Sequence, residues 1–343
     1  MPKKPKHILV IRLSAMGDVA MTVPVLNAFT KQYPDVKLTV LTRAFFAPLF
    51  QNIKNVNVYS AEVKGKHKGV TGLYKLSKEL KRLDIDVVAD LHNVLRSNIL
   101  KQFLFNLPFK KIDKGRSEKK SLVTGKIFKQ LKTTHQRYAD VFGALGFPID
   151  LSEPIFRPAE ELSDSVREIV GEKDGKWIGI APFAAHEGKM YPLDLMEEVI
   201  ATLSKTYKLF LFGGGIEEAK TLSAIEERHQ NVKNLAGKFT FEEELQLISH
   251  LDLMLSMDSG NGHLAAIFGV KVITLWGVTH PYAGFAPFHQ DKNNALLSDR
   301  TQYPLIPTSV YGNKAPEGYK EAMRSIAPEE VVRKVGLSIK EGV

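Results

Sequence analysis

The feature that most limits how this chain can fold is an alternation, sustained almost from end to end, of short β-rich runs with amphipathic helical stretches. His7–Arg12, Lys37–Thr42, Val56–Tyr59 and Ile85–Asp90 read as strands in the first half; Trp177–Ala181, Lys208–Phe212, Val232–Leu235, Leu251–Ser256 and Lys271–Trp276 do so in the second. Between them, Val70–Leu83, Leu193–Thr206, Glu217–His229 and Phe241–His250 place apolar residues at helical spacing. Strands alternating with helices predict βαβ units and parallel sheets. At 343 residues the chain is long enough for two such α/β domains. The pattern pauses at 146–160, where Pro148, Pro154 and Pro158 cluster. The predicted domains are therefore 1–160 and 161–343, with Ala327–Ile339 as a closing helix for which the first domain is one surface to pack back on. Two parallel-sheet domains facing each other set the carboxyl ends of their strands around one central cleft, where ligands of such folds bind.

Charge divides the chain near the same place. The net charge is +9, yet residues 1–150 hold 27 Lys and Arg against 11 Asp and Glu, while the remainder is mildly acidic. A basic first half meets an anionic partner or simply keeps a Lys-rich surface solvated. The absence of cysteine removes thiolate catalysis, cysteine-based zinc sites and iron–sulfur clusters. No run approaches the ~18 apolar residues of a membrane span. The basic opening Met1–Lys6 is followed by too short an apolar run for a signal peptide, so the expectation is a cytoplasmic protein.

Four motifs lie just after strands. In Ile11-Arg12-Leu13-Ser14-Ala15-Met16-Gly17-Asp18, Gly17 suits a tight strand-to-helix turn. Asp18 then either caps the helix or serves as a general base. A single glycine there is not a dinucleotide fingerprint. In Asp258-Ser259-Gly260-Asn261-Gly262-His263, small residues open a helix whose first N–H groups face an anion such as phosphate, with His263 in the first turn. Asp258 fits either a sugar hydroxyl or a cap. Phe212-Gly213-Gly214-Gly215-Ile216-Glu217 reads as a plain connection or as a close-approach loop with a carboxylate for ribose hydroxyls. In Ala181–Pro192, Lys189 is either solvated or set to neutralise a diphosphate.

In this order and spacing the motifs resemble family 9 glycosyltransferases, the ADP-heptose:lipopolysaccharide heptosyltransferases. The resemblance rests on Ile11–Asp18 followed by Met21–Leu26, on Asp90-Leu91-His92-Asn93-Val94-Leu95-Arg96-Ser97, and on Lys189-Met190-Tyr191-Pro192. It continues through Phe212-Gly213-Gly214 with Glu217, Asn234-Leu235-Ala236-Gly237-Lys238, Asp258-Ser259-Gly260 with His263, and Gly277 with Thr279 and Pro281. His92-Asn93 stand where the family pattern has Gln-Gly.

The resemblance implies the GT-B fold, with two Rossmann-like domains, the second holding the nucleotide sugar and the first the acceptor. It implies inverting transfer without a bound metal or other cofactor. By position, Asp18 becomes the general base and Lys189 the diphosphate's counter-charge. Asp258 takes the donor sugar, Ser259, Gly260, Asn261 and His263 the phosphates, Glu217 the ribose, and Leu235, Gly237 and Phe239 the adenine pocket. The implied acceptor, the anionic, lipid-anchored inner core of lipopolysaccharide, accounts for the basic half. Arg12, Lys64, Lys66, Lys68, Arg96, Arg116, Lys119, Lys120 and Arg137 are its candidate contacts. Phe103, Leu104, Phe105, Leu107 and Phe109, interleaved with Lys101, Lys110 and Lys111, form either an ordinary helix and strand or a segment dipping into the inner membrane's cytoplasmic face. Two other functions compete: a GT-B transferase using a different nucleotide sugar, and a non-catalytic binder of anionic polymers. Nucleic acid is not an expected partner, because no RNP, zinc-finger or helix-turn-helix signature occurs.

Overall fold

The computed structural model describes residues 5–340, so the basic opening at residues 1–4 lies outside the described residues. The chain forms two compact units. The first comprises Met1–Lys114 with Thr134–Ile155, and the second Gly115–Thr133 with Phe156–Val343. The change of unit at 155/156 falls within the proline-rich stretch that marks a break in the sequence. The transfer of Gly115–Thr133 to the second unit is not anticipated there.

In chain order the elements are β1 (His7–Ile11), α1 (Met16–Ala20), α2 (Thr22–Gln32), β2 (Lys37–Thr42), β3 (Val56–Ser60), α3 (Gly69–Leu80), β4 (Val87–Asp90), α4 (Leu95–Phe103), β5 (Phe109–Lys111), α5 (Arg116–Val123), α6 (Thr134–Gly143), α7 (Asp164–Val170), β6 (Trp177–Ala181), α8 (Leu193–Leu203), β7 (Lys208–Leu211), α9 (Gly215–Arg228), β8 (Val232–Asn234), α10 (Phe241–Ser249), β9 (Leu253–Met257), α11 (Gly260–Ala266), β10 (Lys271–Trp276), β11 (Ala295–Leu297) and α12 (Pro328–Lys340). All nine expected strands are present to within a few residues. No described helix is long and apolar enough to cross a membrane.

The first unit holds a sheet in the order β3-β2-β1-β4-β5, the second a sheet in the order β11-β10-β9-β6-β7-β8, and every pair in both is parallel. β1, β6 and β9 are buried along their whole length, as strands covered on both faces must be. In the first unit Leu9, Ile11 and Val88 pack against Leu73, Leu76 and Leu80 of α3 and Leu100 of α4. In the second, Ile178, Ile180 and Leu255 pack with Met196, Val199 and Ile200 of α8 and Val331, Val335 and Ile339 of α12. The closing helix is thus anchored in the core of its own unit. Each such aliphatic side chain contributes about 1.5–3 kcal/mol on burial.

Gly115–Thr133 joins the second unit through side chains as well as backbone. Leu122 and Leu131 form a small apolar cluster with Ala283, flanked by Ile127, Tyr282 and Phe285. The Leu131 N–H donates to the Tyr282 carbonyl (2.9 Å), and the Lys119 ammonium lies 3.9 Å from the centre of the Phe285 ring. Gly284, at φ +85°, makes the close approach possible, since a Cβ there would stand 2.6 Å from the Lys132 carbonyl oxygen.

Candidate active site

In a parallel α/β sheet the strand order reverses at one point, and the carboxyl ends of the two strands there flank a natural binding crevice. In the first unit that point lies between β1 and β4, in the second between β6 and β9. The sequence motifs fall at both.

After β1 the chain turns into α1 and carries Asp18 in its first turn. Arg12 Nη2 lies 2.5 Å from Asp18 Oδ2, and Arg12 Nη1 donates to the Leu91 carbonyl just beyond β4 (2.7 Å). One guanidinium therefore ties the two strand ends together and orients the carboxylate. The Ala15 N–H also donates to Asp18 Oδ2 (3.3 Å), and the Tyr138 hydroxyl donates to the Asp18 carbonyl (3.2 Å). Asp18 thus has a capping contact and a partly open carboxylate, 30% exposed.

Asp90, at the end of β4, accepts from the His92 and Asn93 N–H groups (2.9 and 2.8 Å). Asn93 is left-handed, at φ 44°, and donates through its side chain to the Ile112 carbonyl. Asparagine tolerates that conformation, which explains how it stands where the family pattern has glycine. His92 is buried, and its Nδ1 lies 3.4 Å from the Leu13 N–H that donates to it. Burial, reinforced by the Arg12 charge, pushes its pKa down to about 3, so it is neutral at physiological pH.

In the second unit, Lys189 after β6 meets Asp258 after β9, with Nζ 2.9 Å from Oδ2 and both side chains largely buried. The Thr279 hydroxyl donates to the same oxygen (2.9 Å). The loop carrying Lys189 lies back to back with the turn after β10. The Val278 N–H donates to the Gly188 carbonyl, and a Cβ on Gly277 would stand only 2.1 Å from that oxygen. Ser259 precedes α11 without using its hydroxyl as a cap. Gly260 and Asn261 are half-buried and His263 is buried in the same short helix. The Lys189–Asp258 pair therefore stands beside the small-residue helix start.

The remaining assignments fare unevenly. Glu218 receives the Gly214 N–H (2.7 Å) and closes the glycine loop, leaving Glu217 exposed. Gly237 is exposed and Phe239 half-buried, but Leu235 is fully buried, its N–H donating to the Leu211 carbonyl and its carbonyl accepting from the Lys238 N–H, so it does not fit the expected place in an adenine pocket. Lys64, Lys68, Arg96, Arg116 and Lys120 are exposed cations. Lys66 is exposed too, beside Glu62 and Glu79. Arg12, Arg137 and Lys119 do not fit the expected role of acceptor contacts. All three are buried: Arg12 holds Asp18, Arg137 Nη1 donates to the Asp113 carbonyl, and Lys119 covers Phe285. Arg116, Lys119 and Lys120 also belong to the second unit. In the aromatic segment Leu104 is buried and Phe103, Leu107 and Phe109 pack on the first unit's core, so only Phe105 stands exposed. The ordinary helix-and-strand reading is the one the structure adopts. Sequence reasoning gave no contact role to Thr279 or Tyr138. Thr279 sits in a quoted motif and was within reach, whereas nothing in the sequence links Tyr138 to Asp18, 120 residues away. Among the described residues no group of three or more His, Asp or Glu gathers to hold a metal.

Two Rossmann-like parallel sheets, each carrying charged groups at its switch point, are those of the GT-B fold. A glycosyltransferase family 9 structure from Veillonella parvula matches with a TM-score of 0.76 and 20% identity over 98% of each chain. An Escherichia coli heptosyltransferase, WaaC, solved with ADP-2-deoxy-2-fluoro heptose, matches at 0.67 and 18% identity over 96% of this chain and 99% of that one. The profile of glycosyltransferase family 9 (heptosyltransferase) matches residues 73–309, and the chain belongs to that family. In sequence it is 26% identical to the lipopolysaccharide core heptosyltransferase OpsX of Haemophilus influenzae over 293 residues, 81% of this chain and 80% of that protein.

Proposed function

We propose that the protein transfers heptose from ADP-heptose to the inner core of lipopolysaccharide, by inverting displacement and without a bound metal. The observation that carries this reading is the Lys189–Asp258 pair at the second unit's switch point, matched by Asp18 held by Arg12 at the first unit's. The family's heptosyltransferase description and the ADP-heptose analogue bound to WaaC support the choice of donor.

In this reading the acceptor hydroxyl gives its proton to Asp18 as its oxygen bonds to the anomeric carbon. The bond from that carbon to the diphosphate breaks with its electron pair, and ADP leaves. Lys189 neutralises the charge gathering on the diphosphate, assisted by the N–H groups at the start of α11. On donor binding Asp258 exchanges part of its contact with Lys189 for sugar hydroxyls, Glu217 takes the ribose, and Gly237 and Phe239 border the adenine. The exposed cations Lys64, Lys66 and Arg96 meet the anionic acceptor. Because that acceptor is lipid-anchored, the protein works in the cytoplasm, in peripheral contact with the inner membrane.

The test is turnover of ADP-heptose on a lipopolysaccharide inner-core acceptor in the presence of a chelator, with the product anomer assigned by NMR. A retained anomer or activity lost to the chelator overturns the mechanism. A thermal-shift panel of ADP-, GDP- and UDP-sugars tests the donor, since a ligand that binds only the folded state raises its melting temperature.

A further inference from the structure

Away from the switch point, the second unit contains two cavities of about 510 Å³ each that share two wall residues, Phe128 and Arg300. Phe128 comes from the segment after α5, and Arg300 from the chain after β11. The guanidinium carbon of Arg300 sits 3.5 Å from the centre of the Phe128 ring. Arg300 Nε donates to the Ile306 carbonyl (2.8 Å) and Nη2 lies 3.5 Å from the Pro304 carbonyl.

No carboxylate answers this charge. Among the described residues Arg300 makes no salt bridge. The neighbouring Asp299 carboxylate is taken by the Thr301 N–H and hydroxyl, and Asp291 accepts from the Asn293 N–H. One cavity is walled by Leu122, Val123, Leu305 and Ile306, and Lys314 is the second cation at its edge. Between residues 300 and 316 there is no Asp or Glu, and residues 115–133 hold six Lys and Arg against one Glu. Leu305 and Phe128 remain 58% and 43% exposed beside the opening. A guanidinium fixed by stacking and by two carbonyls still has N–H groups in the planar fork that matches phosphate or carboxylate oxygens. The cavity is larger than a bare phosphate needs, and its lining is mixed: Thr124, Thr308 and the two cations alternate with prolines and with Leu305 and Phe128, the large apolar side chains left exposed there.

We propose that Arg300 and Lys314 anchor the head of an anionic amphiphile, an acyl chain ending in phosphate or carboxylate, whose apolar part enters the cavity walled by Leu122, Val123, Leu305 and Ile306. The site shares no residue with the proposed donor site or with Asp18 and stands whether or not that reading does.

The experiment is calorimetric titration of the full chain with dodecyl phosphate below its aggregation concentration, with inorganic phosphate and dodecyl maltoside as head-only and neutral-chain probes. The expected result is one site for dodecyl phosphate, about tenfold or more tighter than for either control, weakened about tenfold by Arg300→Gln and by Lys314→Gln and unaffected by ADP. Lys314 is exposed, so its variant keeps the test open where loss of Arg300 disturbs the 304–306 turn. Equal affinity for inorganic phosphate, equal affinity for the maltoside, affinity unchanged in Lys314→Gln, or competition by ADP would each overturn the proposal. Co-sedimentation then separates the sources. Lys314-dependent pelleting with phosphatidylglycerol vesicles but not phosphatidylcholine vesicles marks a membrane lipid, and monomer binding without pelleting marks a free amphiphile.

Discussion

Arg12 Nη2 and Asp18 Oδ2 stand 2.5 Å apart, and the same guanidinium is fastened to the Leu91 carbonyl across the switch point. Arg12 is therefore a positioning residue for Asp18. Asp18→Asn should lower the transfer rate by roughly 10²–10⁴-fold while leaving ADP affinity nearly unchanged. Arg12→Lys keeps the charge but loses the fork, and should lower kcat with little change in the donor KM. Initial rates with ADP titrations decide both. Full activity of the Asn variant would remove Asp18 as the base.

Lys189 and Asp258 form a largely buried pair with Thr279 on the same carboxylate oxygen. If the proposed function holds, Lys189→Ala removes the diphosphate's counter-charge and leaves Asp258 repelling the ligand. ADP affinity should fall by about 2 kcal/mol or more, ~30-fold in Kd, as measured by calorimetry.

Two groups, the buried His92 and the half-buried Glu244, predict opposite pH effects on stability. His92 refuses a proton until about pH 3, whereas the unfolded chain accepts one near 6.5, so stability falls as pH drops through that window. His92→Gln should flatten the acid side of a melting-temperature profile. Burial raises Glu244 to about 7, so the unfolded chain ionises first and stability falls as pH rises from about 4.5 to 7. Glu244→Gln should raise the melting temperature more at pH 8 than at pH 4.5.

Arg137 and Arg96 separate structural from contact roles among the cations. Arg137→Gln empties a buried position and should lower the melting temperature. Arg96 is exposed, and Arg96→Gln should raise the acceptor KM without a thermal shift.

Gly277→Ala places a methyl group 2.1 Å from the Gly188 carbonyl oxygen, backbone that carries Lys189. It should cost about 1–3 kcal/mol in a denaturant titration and weaken ADP binding, because the loop must retreat.

The long buried strands were legible because an apolar run such as Leu251–Ser256 has no other way to shed water. β11 was not, since three residues ending a sheet carry no pattern of their own, and β5 was legible only as one of two readings of its Lys-containing segment. The placing of the charged residues at the carboxyl ends of strands was legible because each follows directly on an apolar run. Which partner each takes was not: Arg12 reads as a free cation until β4 brings Leu91 beside it. The basic character of residues 115–133 was plain, but their allegiance depends on Leu122, Leu131 and Phe285 meeting across 150 residues.

That allegiance has a practical result for dissecting the molecule. The polypeptide passes from one unit to the other after Lys114, Thr133 and Ile155. A gene cut at 155 therefore cannot yield two autonomous fragments. The upstream product would carry residues 115–133 with Leu122 and Leu131 stranded, and the downstream product would expose the patch around Ala283 that those two leucines normally cover.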